Sequence, residues 1–389
     1  MLAADKMGKG ASLKATSFAA AALAFASLGD AFLYPYLPIN FLDAGIPVAW
    51  VGLLLSINRF VRIIANSIVV KAFARFGLRN IIIIAVLFAI CATLGYGIAT
   101  GLLAWLMFRV MWGVSFSALR IGSLAYALEQ KQQGMAMGIS KGIHEAGPLL
   151  ALLMVPLLIN NFHSKTIFFL LALSSLPALY FSWQLPKHEH TPHRLSPKLS
   201  LQWPSRVNIL TFGSALFVEG IVVVVLGVLF LHYRDHINLS VATSLAAIFL
   251  AYRRVCLVIF SPVSGWLADK VGLQLIFQVS MLFVVVGLLT IVFGWIGTGA
   301  VVVFSFYSIN AAITPGAASA GKAHLLTAVA ENATWRDLGA AIGTLVGGLL
   351  IPSPTYLAPM LLAGAVGIKL FLCLHFGIGK SRKLFYPWK

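Results

Sequence analysis

Charged side chains recur inside long apolar runs of this 389-residue sequence, and these are the residues with chemistry to do. Asp30 stands in LGDAFLYPYLP, Arg59 and Arg62 in NRFVRIIAN, Arg109 in FRVMWG, Glu145 in KGIHEAGP and Glu219 in LFVEGIVV. Arg253 and Arg254 are adjacent in YRRVCLVIF, and Arg336 and Asp337 are adjacent in TWRDLGAA. A guanidinium fork suits a carboxylate or phosphate, which it can grip through two parallel hydrogen bonds. A carboxylate set alone in an apolar wall is a candidate for proton exchange. The chemistry implied is the handling of ions and solutes. Bond-making is not expected, because the sequence holds no Ser-His-Asp order, phosphate loop or metal-ligand spacing at a plausible place, so the chain is not read as an enzyme.

Each charge at the centre of a membrane segment costs roughly 2.5 to 3.5 kcal/mol, so such groups must face a cavity or a partner. Arg59, Arg62 and Asn66 share one helical stripe. Asp30 and Glu219 occupy similar depths in their runs, and fixed ion pairs with Arg59 and Arg254 are the structural alternative to proton exchange. Lys141 and Glu145 lie one turn apart, close enough to neutralise each other, and Glu145 precedes an expected break at Gly147-Pro148. Arg336 and Asp337 pair with each other or across helices. The basic residues within apolar runs (Arg59, Arg62, Arg109, Arg120, Lys141, Arg253, Arg254, Arg336 and Lys369) outnumber the acidic ones (Asp30, Glu129, Glu145, Glu219, Glu331 and Asp337). An anionic solute would supply the missing charge.

The elements that must position these residues follow from composition. With 60% hydrophobic and 10% charged residues and a mean hydropathy of +0.94, the chain is an integral membrane protein. Windows of about 20 apolar residues, the length that crosses a bilayer, can be placed twelve times. They fall at 17–41, 48–70, 80–100, 102–128, 134–160, 165–185, 207–233, 238–265, 272–296, 299–320, 328–352 and 355–378, and are numbered helix 1 to helix 12. Alternating ten-residue strands are absent, and lipid otherwise demands helices. Lys6, Lys9 and Lys14 precede the first run, which is read as an uncleaved span.

Alternate connections hold nearly all the remaining Lys and Arg, including Lys71, Arg75, Arg79, Lys131, Lys187, Arg194, Lys198, Arg206, Lys270, Lys322 and a C-terminal group. The opposite connections hold Lys165 and Arg234. Both termini are therefore expected in the cytoplasm of an inner or plasma membrane. The formal charge of +17 is an orientation signal, so no nucleic-acid partner is expected. His188, His190 and His193 lie in a solvated linker, and Cys91, Cys256 and Cys373 are scattered through apolar runs, so neither metal nor disulfide is expected.

A repeat of 195 residues sets Arg59 under Arg254, Arg75 under Lys270 and Gly77 under Gly272. Such a repeat is common in secondary transporters. It divides the chain into a six-helix bundle over 1–186, a cytoplasmic linker over 187–206 and a second bundle over 207–389.

These residues resemble the major facilitator superfamily over essentially the whole chain. Gly265-WLA-Asp269-Lys270-Val271-Gly272 is similar to the family's loop motif G-x-x-x-D-[RK]-x-G, thought to lock one state, whereas the first copy has Val70 and Ala74 in place of the glycine and aspartate. Arg109-Val-Met-Trp-Gly113 on helix 4 is similar to the family's R-x-x-x-G, whose arginine is linked to coupling in proton-driven exporters. Gly134, Gly138, Gly142 and Gly147-Pro148 on helix 5 resemble the antiporter glycine motif in part, and Gly339, Gly343, Gly347 and Gly348 on helix 11 form a better ladder. Small residues at this spacing let helices approach closely.

The resemblance implies an all-α fold of twelve transmembrane helices in two pseudo-symmetric halves, with helices 1, 2, 4, 5, 7, 8, 10 and 11 lining a central cavity. It implies a monomeric secondary transporter for a small organic solute, with no cofactor and a proton gradient as the drive. Asp30, Arg59, Arg62, Glu219, Arg253, Arg254 and Arg336 are then solute-binding candidates. Arg109, Glu145, Gly147, Pro148, Asp269, Lys270 and Asp337 are candidates for coupling and gating. Proton-coupled export is the first expectation and uptake of an organic anion, such as a carboxylate siderophore, the second. A non-transporting receptor on the same fold is the alternative of another class.

Overall fold

The computed structural model describes residues 13–128, 130, 133–187, 203–233, 236–319 and 325–376. They are helical with short connections, and no strand occurs among them. Helix 1 covers Leu13–Tyr36, helix 2 Val48–Phe76, helix 3 Leu78–Ile98 and helix 4 Leu102–Leu128. Helix 5 covers Gln133–Asn161, helix 6 Ser164–Trp183 and helix 7 Arg206–Tyr233. Helix 8 covers Leu239–Val271, helix 9 Leu273–Val292, helix 10 Ile296–Ser319, helix 11 Leu325–Leu350 and helix 12 Leu357–Phe376. Eleven of these are long and apolar enough to cross a membrane. Helix 11 carries Glu331, Arg336 and Asp337, which lower its apolar character over an otherwise sufficient 26 residues.

Some helices run further than the apolar windows suggest. Helix 8 continues through the Gly265–Lys270 stretch and ends at Val271, with Gly272 at φ 103° as its cap. Helix 2 likewise runs to Phe76, and Gly77 turns the chain at φ 80°. Each turn needs the left-handed conformation that a side chain resists, which gives the 195-residue offset a backbone counterpart. Helix 5 passes without interruption through Pro148 and Pro156, so the expected break at Gly147-Pro148 is not one. A proline costs a helix one hydrogen bond, which neighbouring helices can accommodate in a membrane.

Helix 1 is irregular at Ser27, between Leu13–Ala26 and Leu28–Tyr36. The Ser27 hydroxyl donates to the Leu23 carbonyl at 2.7 Å, a bond that tends to bend helices. Helix 7 holds an eight-residue π-helical stretch, Ala215–Val222.

The chain packs into two compact units. One draws on the described residues within Met1–Leu33, Asp43–Gly45 and Ile57–Lys198, the other on those within Tyr34–Leu42, Ile46–Ser56 and Leu199–Lys389. A division at the linker alone would leave Tyr34–Leu42 and Ile46–Ser56 with the amino-terminal half. In the second unit Asn40 donates to the Thr243 hydroxyl at 3.0 Å, Gly52 passes the backbone of Leu345 and Gly348, and Leu37, Val51, Leu54 and Leu55 are fully buried. Most of the 187–206 linker, with its three histidines, lies outside the described residues.

Candidate functional sites in the two units

In the first unit a polar knot forms where helices 1, 2, 3 and 4 meet. Arg109 on helix 4 is fully buried, and its Nη1 lies 2.5 Å from Asp30 Oδ1 on helix 1. The same oxygen accepts from Asn58 Nδ2 on helix 2 at 3.4 Å. Arg109 also reaches the Tyr96 hydroxyl on helix 3 at 3.5 Å. The Tyr96 ring stacks on Trp105 with centroids 5.3 Å apart, closing the knot on one side. Gly113 makes the approach possible, since a Cβ there would lie 3.0 Å from the Asn58 carbonyl oxygen.

Asp30 is therefore partnered by Arg109 and Asn58, where the sequence suggested Arg59. A helix turns about 100° per residue, so when Asn58 faces helix 1 its neighbour Arg59 is directed elsewhere. Arg62, one turn further on, places its guanidinium 4.9 Å from the centre of the Phe116 ring. Phe116 lies 5.7 Å from Trp112 and 6.0 Å from His144 on helix 5. The buried Asn58 Oδ1, Trp105 Nε1 and Trp112 Nε1 here make no hydrogen bond.

Helix 5 contributes Glu145, buried at 7% exposure, while Lys141 one turn earlier is exposed. Gly147 abuts the Ala24 backbone of helix 1, leaving no room for a Cβ. Gly138 and Gly142 have nothing within 4 Å of where a Cβ would stand. Of the partial glycine motif on helix 5, Gly147 provides the tight crossing.

The second unit has an ion-pair network of its own. Glu219, within the π-helical stretch of helix 7, lies 3.1 Å from Arg253 Nη2 on helix 8. Tyr307 of helix 10 is 1% exposed, shares a hydrogen bond with Glu219 and feels the charges of Arg253 and Arg336. Arg336 of helix 11 lies 3.7 Å from the Asp337 carboxylate and interacts electrostatically with Glu219. Glu219 thus has Arg253 as a partner, the neighbour of the Arg254 that the sequence suggested.

The helix 11 ladder explains how this network is held. Gly339 and Gly343 meet the backbone of Phe212 and Leu216 on helix 7, and Gly220 meets Gly343 in return. The π turn, which carries Glu219, and the ladder are thus pressed together. A π turn inside an α-helix commonly marks a functional site. Deeper along the same pair of helices, Asn332 donates to Asn208 Oδ1 and to the Thr211 hydroxyl, both at 3.0 Å.

At the end of helix 8, Lys270 sits 4.1 Å from the centre of the Trp266 ring, one turn away. The Asp269 side chain lies outside the described residues. Tyr96, Asn58, Trp112 and Tyr307 are not among the candidates named from the sequence. Their one signal is a polar tip within an apolar run, as in LGYGI around Tyr96.

Residues 19–333 match the model of the Major Facilitator Superfamily. The fold is similar to that of the crystal structure of a D-xylose-proton symporter, with a TM-score of 0.72 at 12% identity over 96% of this chain and 98% of that one. It is also similar to the nucleoside transporter NupG, with a TM-score of 0.71 at 13% identity over 92% and 97%. Identities this low carry the fold and no more. No curated protein matches the sequence.

Proposed function

Since the chain belongs to the Major Facilitator Superfamily and is therefore a membrane transporter, we propose that it moves a small organic anion together with a proton. The observation that supports this reading is the Asp30–Arg109 pair. When Asp30 is ionised it neutralises the fully buried Arg109 guanidinium. When Asp30 takes up a proton, the pair goes from neutral to net positive in a low-dielectric place, and that change favours an anion. Proton and anion then favour each other's binding, and by linkage the effect is reciprocal. Cooperative binding of the two is the thermodynamic requirement of symport.

Export by proton exchange needs the opposite relation, competition between proton and solute. The sequence favoured it on the helix 4 and helix 5 motifs, of which Arg109 and Gly147 are engaged as described while Gly138 and Gly142 are not. We therefore place uptake first and export second. The xylose-proton symporter of similar fold is consistent with proton-linked uptake. Arg59 and Arg62 in the first unit, and Arg253, Arg254 and Arg336 in the second, are each proposed as anion-binding candidates of their own unit, and carboxylate-bearing metabolites, siderophores among them, are the class to screen. The basic ends of the helices are assigned to the cytoplasm by the excess of Lys and Arg there.

The test is solute-dependent proton movement in proteoliposomes. With carboxylates screened first by thermal shift on the parent and on Arg254→Ala, symport predicts proton entry with solute. Proton exit against solute would reverse the direction. No flux for any anion, with biological output retained in an Arg59→Ala/Arg254→Ala variant, would instead favour a receptor.

A further inference from the structure

One end of the first unit carries a set of cations seated on aromatic rings. Lys14 Nζ at the start of helix 1 lies 5.3 Å from the centre of the Phe18 ring. Arg75 at the end of helix 2 lies 5.3 Å from that of Phe76, and Arg79 at the start of helix 3 lies 5.9 Å from that of Trp183 at the end of helix 6. The rings are linked in turn: Phe18 lies 5.4 Å from Phe181, two residues before Trp183.

The platform is pinned from below. Thr16 donates to the Tyr126 carbonyl at 3.0 Å, and Tyr126 donates to the Pro186 carbonyl at 3.0 Å. These bonds tie the start of helix 1, the end of helix 4 and the residues after helix 6 at one level. Trp183, Tyr180 and Phe76 remain exposed at 65%, 61% and 54%. The described acidic residues of this unit lie elsewhere, Asp30 and Glu145 within helices 1 and 5 and Asp43 in the turn between helices 1 and 2. Among the described residues, that end therefore has no carboxylate to match Lys14, Arg75 and Arg79, and Lys71 and Lys187 add to its positive charge.

We infer that this platform binds the headgroup of an anionic phospholipid. A guanidinium held over a ring by cation–π attraction still has planar N–H donors, and these match the oxygens of a phosphate. The exposed rings have the amphipathic character that places Trp and Tyr at headgroup depth. Basic clusters at the ends of transmembrane helices attract anionic lipid. A lipid is chosen over a free phosphate because the apolar surface continues down the helices from the cations, with Ile84, Leu87 and Phe88 of helix 3 exposed, so that acyl chains have a surface to follow.

The experiment uses the full chain, purified and stripped of lipid in detergent, then titrated with phosphatidylglycerol, phosphatidylcholine and inorganic phosphate, with retained lipid counted by native mass spectrometry. The parent should retain phosphatidylglycerol and not phosphatidylcholine. Lys14→Gln/Arg75→Gln/Arg79→Gln should weaken phosphatidylglycerol binding on the order of 100-fold, about five-fold for each cation near the membrane surface. Lys165→Gln, an exposed cation at the opposite end of helix 6, should leave it unchanged. If the triple variant does not fold, Arg79→Gln alone should weaken binding about five-fold. Equal retention of both lipids, an unchanged triple variant, or displacement of the lipid by millimolar inorganic phosphate would each overturn the assignment.

Discussion

Arg109 lies beneath Asp30: the guanidinium has no exposed surface, whereas the carboxylate it contacts at 2.5 Å keeps 17%. A proton arriving from a solvated side therefore meets the acid before the base. Breaking a buried pair by removing one partner costs about 3–5 kcal/mol, because the other charge is stranded.

Asp30→Asn is predicted to abolish solute accumulation driven by a proton gradient while leaving solute counterflow in place. Proteoliposome uptake with and without an imposed gradient reads both. Gradient-driven accumulation at the parental rate would rule out Asp30 as the proton carrier.

Glycine substitutions are predicted to divide sharply. Gly147→Val and Gly343→Val would drive a side chain into the Ala24 and Leu216 backbones, and overpacking of this kind costs at least about 1–3 kcal/mol. Gly142→Ala meets open space and should be neutral or stabilising by up to about 1 kcal/mol through helix propensity. Melting temperatures in detergent and transport assays on the three variants make the comparison, and a severe defect in Gly142→Ala would show that the open face of helix 5 closes in another state.

The two adjacent arginines of helix 8 are predicted to differ. Arg253→Ala removes the guanidinium 3.1 Å from Glu219 and should lower stability by up to about 3–5 kcal/mol. Arg254→Ala leaves the Glu219–Arg253 pair in place and should cost less stability while weakening the thermal shift given by an anionic solute. Parallel melts of both variants, with and without solute, decide it. Equal destabilisation would mean that Arg254 shares the load on Glu219.

Tyr307→Phe keeps the buried ring and removes one hydrogen bond to Glu219. The expected loss is about 0.5–1.5 kcal/mol, with a larger effect on transport rate than on folding. A transport rate equal to that of the parent would assign Tyr307 to packing alone.

The helices were legible in the sequence because hydrocarbon imposes a length on every span, and the charged residues stood out because lipid makes each one expensive. Which charge meets which was not legible. The choice between Asn58 and Arg59 turns on about 100° of helix rotation, which tilt and tertiary packing set. The π stretch was hidden for a related reason: ALFVEGIV reads as an ordinary apolar helix, and the extra residue per turn is fixed by the glycine backbone pressed against it. The Gly265–Lys270 segment reads as a loop because its glycine and charges interrupt an apolar run, yet Trp266 and Lys270 are compatible with another turn of helix, and Gly272 ends it.

The grouping of Tyr34–Leu42 and Ile46–Ser56 with the second unit bears on how the chain can be cut. A gene divided in the 187–206 linker would make a carboxy-terminal fragment that lacks Leu37, Val51, Leu54 and Leu55, all fully buried in the intact chain, along with the Asn40 partner of Thr243. That fragment expressed alone should be unstable and rapidly degraded, and co-expression of residues 1–186 should rescue it. The two genetic halves would then be obligate complements, with the amino-terminal half supplying the carboxy-terminal one with part of its own interior.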